Sequence, residues 1–349
     1  MTNRQILVGA FALALGAGYG AEATAFLSDA ACRETQAAFE KTATTLERAV
    51  QAFKGIDDPE LCVYNCSIPF AWEGRRYVFG RVDPKFRWGV PPWVVLFVET
   101  GKDEWTVDPK FHWLQLSDPA VQFIRGEIIL TGTHVEKIAG KTAGYVAYFY
   151  RGKDPYHLTY FTHGPKRMKD IRPIELPNGR IGVFTRPRGE EVRRKYGSES
   201  LIGYVEVDDV EGITPEALEA ARPIPGIFGR DEWGGANQAY LLPDGRIGVA
   251  GHLAWNRPDD LCPVNNHRRQ HYCNISFVFD PKTFTATRPK IVATAGLYGV
   301  AGRRPKSPDL DDCAFTSGFV FNDDGTCDVY SGLLDAYEGR VRIRASDVW

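Results

Sequence analysis

Two sets of positions, most of them polar, recur in register along the chain. Asn65, Asp118, Asp170, Asn237 and the pair Thr316-Ser317 each stand eight or nine residues before a glycine, at 74, 126, 179, 245 and 325. Arg81, Thr133, Arg186, His252 and Gly332 stand seven residues after the same glycines. Any one of them reads as a satisfied polar residue at a strand end. Together they put carboxylates, Arg and His at matching points of a repeat. Brought to one pocket, such groups suit acid-catalysed group transfer. A carboxylic acid protonates a departing oxygen while a nucleophile attacks the opposite face, as in glycoside cleavage. Burial of that acid against strand backbone is expected to raise its pKa toward working pH.

The glycines belong to hairpins. Ile68–Gly80, Ala120–Gly132, Pro173–Thr185, Ala239–Gly251 and Phe319–Ser331 each read as an apolar strand, a turn ending in Gly, and a second apolar strand. Asn178-Gly179, Asp244-Gly245 and Asp324-Gly325 are strong hairpin turns, because Asn, Asp and Gly tolerate positive φ. The spacing leaves room for two more strands per unit, such as Trp93–Glu99 and Tyr145–Arg151. Near-copies of a four-stranded unit predict an all-β fold, a five-bladed β-propeller over residues 57–349, in preference to a β-sandwich. The first strand of each hairpin runs to the turn and the second returns, so both polar sets lie at one end of the hairpins, around the axis. Longer intervals before the fourth and fifth turns predict insertions, including a short helix at Pro215–Arg222. Ahead of the repeat, Ala37, Phe39, Leu46, Val50 and Phe53 predict one helix over Asp29–Phe53 within a helical segment at 26–56.

Composition narrows the partners. The chain has 349 residues, 44% hydrophobic and 25% charged, with a formal net charge of −2. That balance argues against nucleic acid, whose binding is driven by clustered Lys and Arg. The 8 Trp, 15 Tyr and 20 Phe suit a β-rich core, with some available to stack on sugar rings. Arg4, the apolar run Ile6–Gly20 and small residues around Ala21–Ala25 have the layout of a secretory signal over residues 1–25. A secreted or periplasmic mature chain without a membrane span is therefore expected. There Cys262 and Cys273 are expected to pair across the polar loop Pro263–Tyr272. His267 and His271 lie in that loop too, but the Cys-His-His-Cys spacing fits no standard zinc pattern, and no metal or organic cofactor is predicted.

The ordered series of motifs resembles a known family. Ser117-Asp118-Pro119 before a strand is similar to the Asp-Pro segment of the five-bladed mannoside phosphorylases and hydrolases. Val63-Tyr64-Asn65, Gly80-Arg81-Val82-Asp83, Lys169-Asp170, Arg186-Pro187, His252 and Thr316-Ser317-Gly318-Phe319 resemble the related β-1,2-mannosyltransferase/phosphorylases more closely, over about residues 57–345. The resemblance implies inverting phosphorolysis or mannosyl transfer on β-mannosides. It implies Asp118 as general acid, and Asn65, Arg81, Asp83, Asp170 and Asp312 around the mannose, with Asn237 added from the repeat. Lys169, Arg186 and His252 would form a positive rim for inorganic phosphate. A secreted inverting hydrolase, with Asp83, Asp170 or Asp312 as base, and a glycan-binding propeller without turnover remain as alternatives.

Overall fold

Gly74, Gly126, Gly179, Gly245 and Gly325 all adopt positive φ, between 72° and 83°, in the computed structural model, which describes residues 32–87, 89–138 and 141–349. A Cβ at any of the five would meet nothing within 4 Å, so backbone conformation alone requires glycine there. Each turn joins an antiparallel pair. These are Phe70–Trp72 with Arg75–Pro84, Ser117–Ile124 with Glu127–Ile138, and Arg172–Glu175 with Ile181–Thr185. Glu232–Leu241 pairs with Ile247–Trp255, and Asp312–Phe321 with Thr326–Leu333.

Further strands extend every pair, so the chain is mostly β and forms several sheets. The first group adds Trp93–Gly101 and Glu104–Val107, and the second Lys141–Gly152 and Thr159–His163. The third adds Gly203–Val207 and Arg222–Pro223, and the fourth His271–Asp280 and Lys290–Thr294. The fourth and fifth groups are joined by a short parallel pairing, His271 with Asp312 and Tyr272 with Cys313. Consecutive groups touch through their leading hairpins, and the fifth returns to touch Leu61–Tyr64 of the first. The core lies between groups. Phe79 and Leu96 pack with Val121 and Leu130, Phe149 with Ile181 and Leu218, Phe184 with Val249 and Phe279, and Val292 with Phe319 and Val341. Each such side chain contributes roughly 1.5–3 kcal/mol on burial.

The segment before the repeat differs from expectation. The helix covers Cys32–Thr42, and the chain then enters strands Glu47–Val50 and Ala52–Lys54. Glu47–Val50 pairs antiparallel with Tyr337–Arg344 of the fifth group, and Ala52–Lys54 pairs parallel with Glu104–Val107 of the first. Val50 and Phe53, which fit a helical stripe, serve these ladders instead, while Leu46 is exposed. Tertiary pairing has overridden local periodicity. Likewise the short helix at Pro215 ends at Glu219, and Arg222 lies in a strand. The leader read at residues 1–25 lies outside the described residues. No helix among those described is long and apolar enough to cross a membrane.

The expected Cys262–Cys273 disulfide is not formed. Cys273 lies within a ladder, opposite Leu253 and Thr294, and its thiol is directed at the Leu253 carbonyl at 3.6 Å.

Candidate active site

The first polar set falls where the ladders are interrupted. Asn65, Asp118 and Asp170 take left-handed φ of 47°, 50° and 56°. Pairing slips between Ser117 and Ala120, between Ala236 and Gln238, and between Thr316 and Gly318. Pro119 has no N–H to offer, which suits the slip at Asp118. Asn and Asp are the non-glycine residues best able to occupy this conformation, at a cost of order 1–3 kcal/mol each. The second set lies across the ladder: Arg81 pairs with Tyr64, Thr133 with Ser117 and His252 with Gly235.

A cavity of about 530 Å³ brings Asn65, Arg81, Asp118, Lys169, Arg186 and His252 together. A second lobe of about 310 Å³ adds Asp83, Ser117 and Thr133. Arg81, Asp118, Lys169, Arg188 and Asp335 line both lobes, so Asp118 stands at their junction. Trp233, Tyr272 and Phe315 wall the larger lobe with aromatic surface.

Asp118 is buried. Its Oδ1 accepts from Asn65 Nδ2 at 2.9 Å and Arg81 Nη1 at 2.8 Å, and Lys169 Nζ is 3.5 Å from Oδ2. Burial alone would raise its pKa, but the charges of Arg81 and Lys169 with the Asn65 hydrogen bond outweigh it. The carboxyl is held well below the usual carboxylate range. The expected upward shift is thus reversed. Arg81 also pairs with Asp83 at 2.6 Å and lies 4.6 Å over the Tyr64 ring. Asp83 in turn accepts from Lys306 Nζ at 2.7 Å and Tyr64 Oη at 2.9 Å.

Of the expected phosphate ligands, Arg186 is ion-paired to Asp170 and held by Ser200 Oγ at 3.3 Å. His252 is not cationic: burial and the charge of Arg186 lower its pKa. Its Nδ1 lies 2.7 Å from Asn237 Oδ1, which places the ring proton on Nδ1. Nε2 is buried without a hydrogen-bond partner among the described residues, and is left as an acceptor. Asp170, with its pKa at about 2, and Asn237 are buried behind Arg186 and His252 and line neither lobe. Burial opposes that lowering, and Lys169 and Arg186 bring it about. Asp312 is likewise absent from both lobes; it is bound to His271 Nδ1 at 2.7 Å and Gln36 Nε2 at 2.9 Å. Its expected place beside the sugar is corrected: it opens the strand that pairs with His271.

Asp335 and Lys306 were not legible in the repeat. Asp335 follows Leu334 in a turn where both take positive φ, 56° and 51°. Burial, the largest influence, raises its pKa, Arg81 and Lys306 oppose the rise, and the nearby Asp118 charge adds to it. The one sequence signal is an acid between two apolar residues just past the fifth hairpin, Leu334-Asp335-Ala336.

The family described as "protein of unknown function (DUF1861)" matches residues 37–346. A mannose phosphorylase from Leishmania mexicana, solved in complex with phosphate ion, is 40% identical with a TM-score of 0.81, covering 90% of this chain and 92% of that one. A GDP-Man-dependent mannosyltransferase from the same organism is 38% identical with a TM-score of 0.79, covering 90% and 95%. A β-1,2-mannobiose phosphorylase from Listeria innocua, 14% identical with a TM-score of 0.60 over 84% and 93%, shares the fold. Among curated proteins nothing matches. The chain therefore belongs to the DUF1861 family, with the Leishmania mannose phosphorylase and mannosyltransferase among its relatives, and it is an enzyme of the glycoside phosphorylase and glycosyltransferase kind.

Proposed function

We propose that the five strand groups are blades of a propeller around the Asp118 cavity, and that the chain is an inverting phosphorylase of β-mannosides. The observation that carries this reading is Lys169 and Arg186 in the same cavity as Asp118, matched by a 40%-identical relative holding phosphate. In the reaction a phosphate oxygen attacks the anomeric carbon from the face opposite the glycosidic oxygen. The C1–O bond to the leaving sugar breaks, a C1–O–P bond forms, and Asp118 delivers a proton to the departing oxygen. Inversion turns a β-mannoside into α-mannose 1-phosphate. Asn65, Arg81 and Asp83 orient the mannose, and Arg186 and Lys169 hold the anion by charge-assisted hydrogen bonds. Neutral His252 accepts at Nε2 from the hydroxyl of monohydrogen phosphate. Because Arg81 and Lys169 hold Asp118 ionised, the negative charge of bound phosphate is what raises its proton affinity. Mannosyl transfer is the same displacement with another oxygen as nucleophile or leaving group.

A second assignment of the proton has its own support. Asp335 lines both lobes and is pushed upward while Asp118 is pushed down. Two carboxyls driven apart in this way divide acid and base roles. Here Asp335 would donate and Asp118 would remain a carboxylate holding Arg81 and Lys169.

The test is β-1,2-mannobiose incubated with and without inorganic phosphate, and mannose 1-phosphate offered with mannose. GDP-mannose with mannose forms a separate arm. Phosphate-dependent release of mannose 1-phosphate is expected. Free mannose released equally without phosphate would replace the reading by hydrolysis, and activity confined to GDP-mannose would replace it by nucleotide-sugar transfer. For the proton, Asp118→Asn and Asp335→Asn are compared on mannobiose and on a nitrophenyl mannoside. The acid's variant is the one whose loss shrinks when the leaving group needs no proton.

A further inference from the structure

The Asn65 that donates to Asp118 is seated by the fifth strand group, not by its own. Glu338 is the second residue of strand Tyr337–Arg344, and its side chain is buried. Its Oε2 accepts the Cys66 backbone N–H at 3.1 Å, and its Oε1 accepts Ser317 Oγ at 2.7 Å. The carboxyl therefore grips the backbone corner whose first residue is left-handed Asn65. On the same group, a Cβ at Gly332 would fall on Asn65 Oδ1 and stand 2.7 Å from the Asn65 nitrogen. This explains why the second polar set ends in a glycine. Asn65 Oδ1 has no hydrogen-bond partner among the described residues, so nothing on that side of the amide fixes it except contact with Gly332.

We infer that Glu338 is a positioning residue: through the seat it shares with Gly332 it fixes Asn65, and through Asn65 the carboxylate of Asp118. The inference rests on the reading of Asp118 as the reacting carboxylate. Glu338 forms no ion pair among the described residues, and burial pushes it up to about 7 against the hydrogen bonds from Ser317 and the Cys66 backbone. The titratable groups facing it are the Cys66 thiol and the Tyr298 hydroxyl, both raised by burial and neutral near that pH. Ionised Glu338 accepts from both donors at once; the protonated acid gives up part of that capacity. The grip on Asn65 thus tightens as pH rises through this window.

Two measurements test this. The first is a double-mutant cycle in kcat/KM for phosphorolysis with Glu338→Gln, Asn65→Ala and the pair, melting temperatures being followed alongside. Glu338→Gln alone is expected to lower kcat/KM about tenfold, the scale of coupled neighbours, and to cost nothing further once Asn65 is Ala. Independent, multiplying losses would overturn the inference while leaving the phosphorylase reading intact. The second needs no turnover: the Asn65 side-chain amide resonance, assigned by its loss in Asn65→Ala, is followed in selectively labelled protein from pH 5.5 to 8.5. It is expected to titrate in the wild type and to be flat in Glu338→Gln. A flat wild-type resonance overturns the inference, whatever substrate the enzyme takes.

Discussion

Two buried charge networks in this protein use the same residue types to opposite ends. At the closure between the first and last groups, Arg340 binds Asp103 at 2.7 Å, Glu47 at 2.8 Å and Asp328 at 3.0 Å. Gln51 adds a hydrogen bond to Asp103 at 2.8 Å and accepts from Trp105 at 2.8 Å. No buried polar atom of that network lacks a partner. Around Asp118, by contrast, Asn65 Oδ1, Arg81 Nε and His252 Nε2 have no hydrogen-bond partner among the described residues. Asn65, Asp118 and Asp335 there, with Asp170 behind them, are left-handed. The closure pairs its polar groups with one another, whereas the cavity holds polar atoms unpaired among the described residues, the pattern of a binding site.

The largest effect that separates the two regions should come from Asp118→Asn. The amide keeps the shape and delivers no proton, so turnover of mannobiose per folded molecule is expected to fall by about 10²–10⁴, alongside some loss of stability from the forfeited ion pairs with Arg81 and Lys169. Lower stability with activity per folded molecule preserved would make Asp118 a second closure, not a reacting group.

Arg340→Met should do the reverse. Removing Arg340 deprives Asp103 of its ion pair, while Asp328 keeps Arg342 and Glu47 keeps Lys102, so the cost falls toward the lower end of the roughly 3–5 kcal/mol of a broken buried pair, read as a lower urea midpoint. Activity per folded molecule should be unchanged. A loss of kcat without a loss of stability would mean that the closure reaches into the site.

Acid should weaken both regions together. Asp103, Asp328, Glu47, Asp118 and Asp170 are all held below their ordinary values, Asp170 at about 2. In the unfolded chain such groups titrate near 4, so their contribution is complete above about pH 4 and is lost as pH falls toward 2. The urea midpoint should therefore drop across that window, and drop less in Arg340→Met, where Arg340's part of the closure's share has already been removed. An equal drop in both proteins would place the acid sensitivity in the site alone.

What the sequence disclosed follows from the same contrast. The hairpin turns were legible because positive φ selects Gly, Asn and Asp locally. The polar ends of the strands were legible because they repeat. Asn65, Arg81, Asp118, Lys169, Arg186 and His252 do line one cavity. The misplacements are all decided by contacts between distant segments. Asp312 precedes Thr316-Ser317 closely in sequence, but its strand starts against His271. Val50 and Phe53 have helical spacing, but two open sheet edges were available to them. Asp335 was missed because a strained turn, not a repeat position, aims it, and the neutrality of His252 depends on Arg186 and burial.

The smallest effect is expected at the loop that carries Cys262. A disulfide there would make the loop a covalent counterpart of the closure, and its loss would typically cost 2–5 kcal/mol. The structure fastens the loop without one. Asn265 Nδ2 reaches Asp309 at 2.7 Å, and the Gln270 N–H donates to the Asp309 carbonyl at 2.9 Å. His271 is held between Asp260 at 2.9 Å and Asp312 at 2.7 Å. Both cysteines are buried, Cys273 inside its ladder. A strong reductant should thus leave the melting temperature unmoved, and Cys262→Ser should change it little. His267 and Gln270 of this loop line the larger lobe, so loosening its polar fastening is a different matter. Asp309→Ala should raise KM for phosphate or mannoside while the melting temperature moves little, because it releases cavity wall and not core. A reductant that lowers the melting temperature by several degrees would show that the bridge forms after all and would move this loop to the structural side of the comparison.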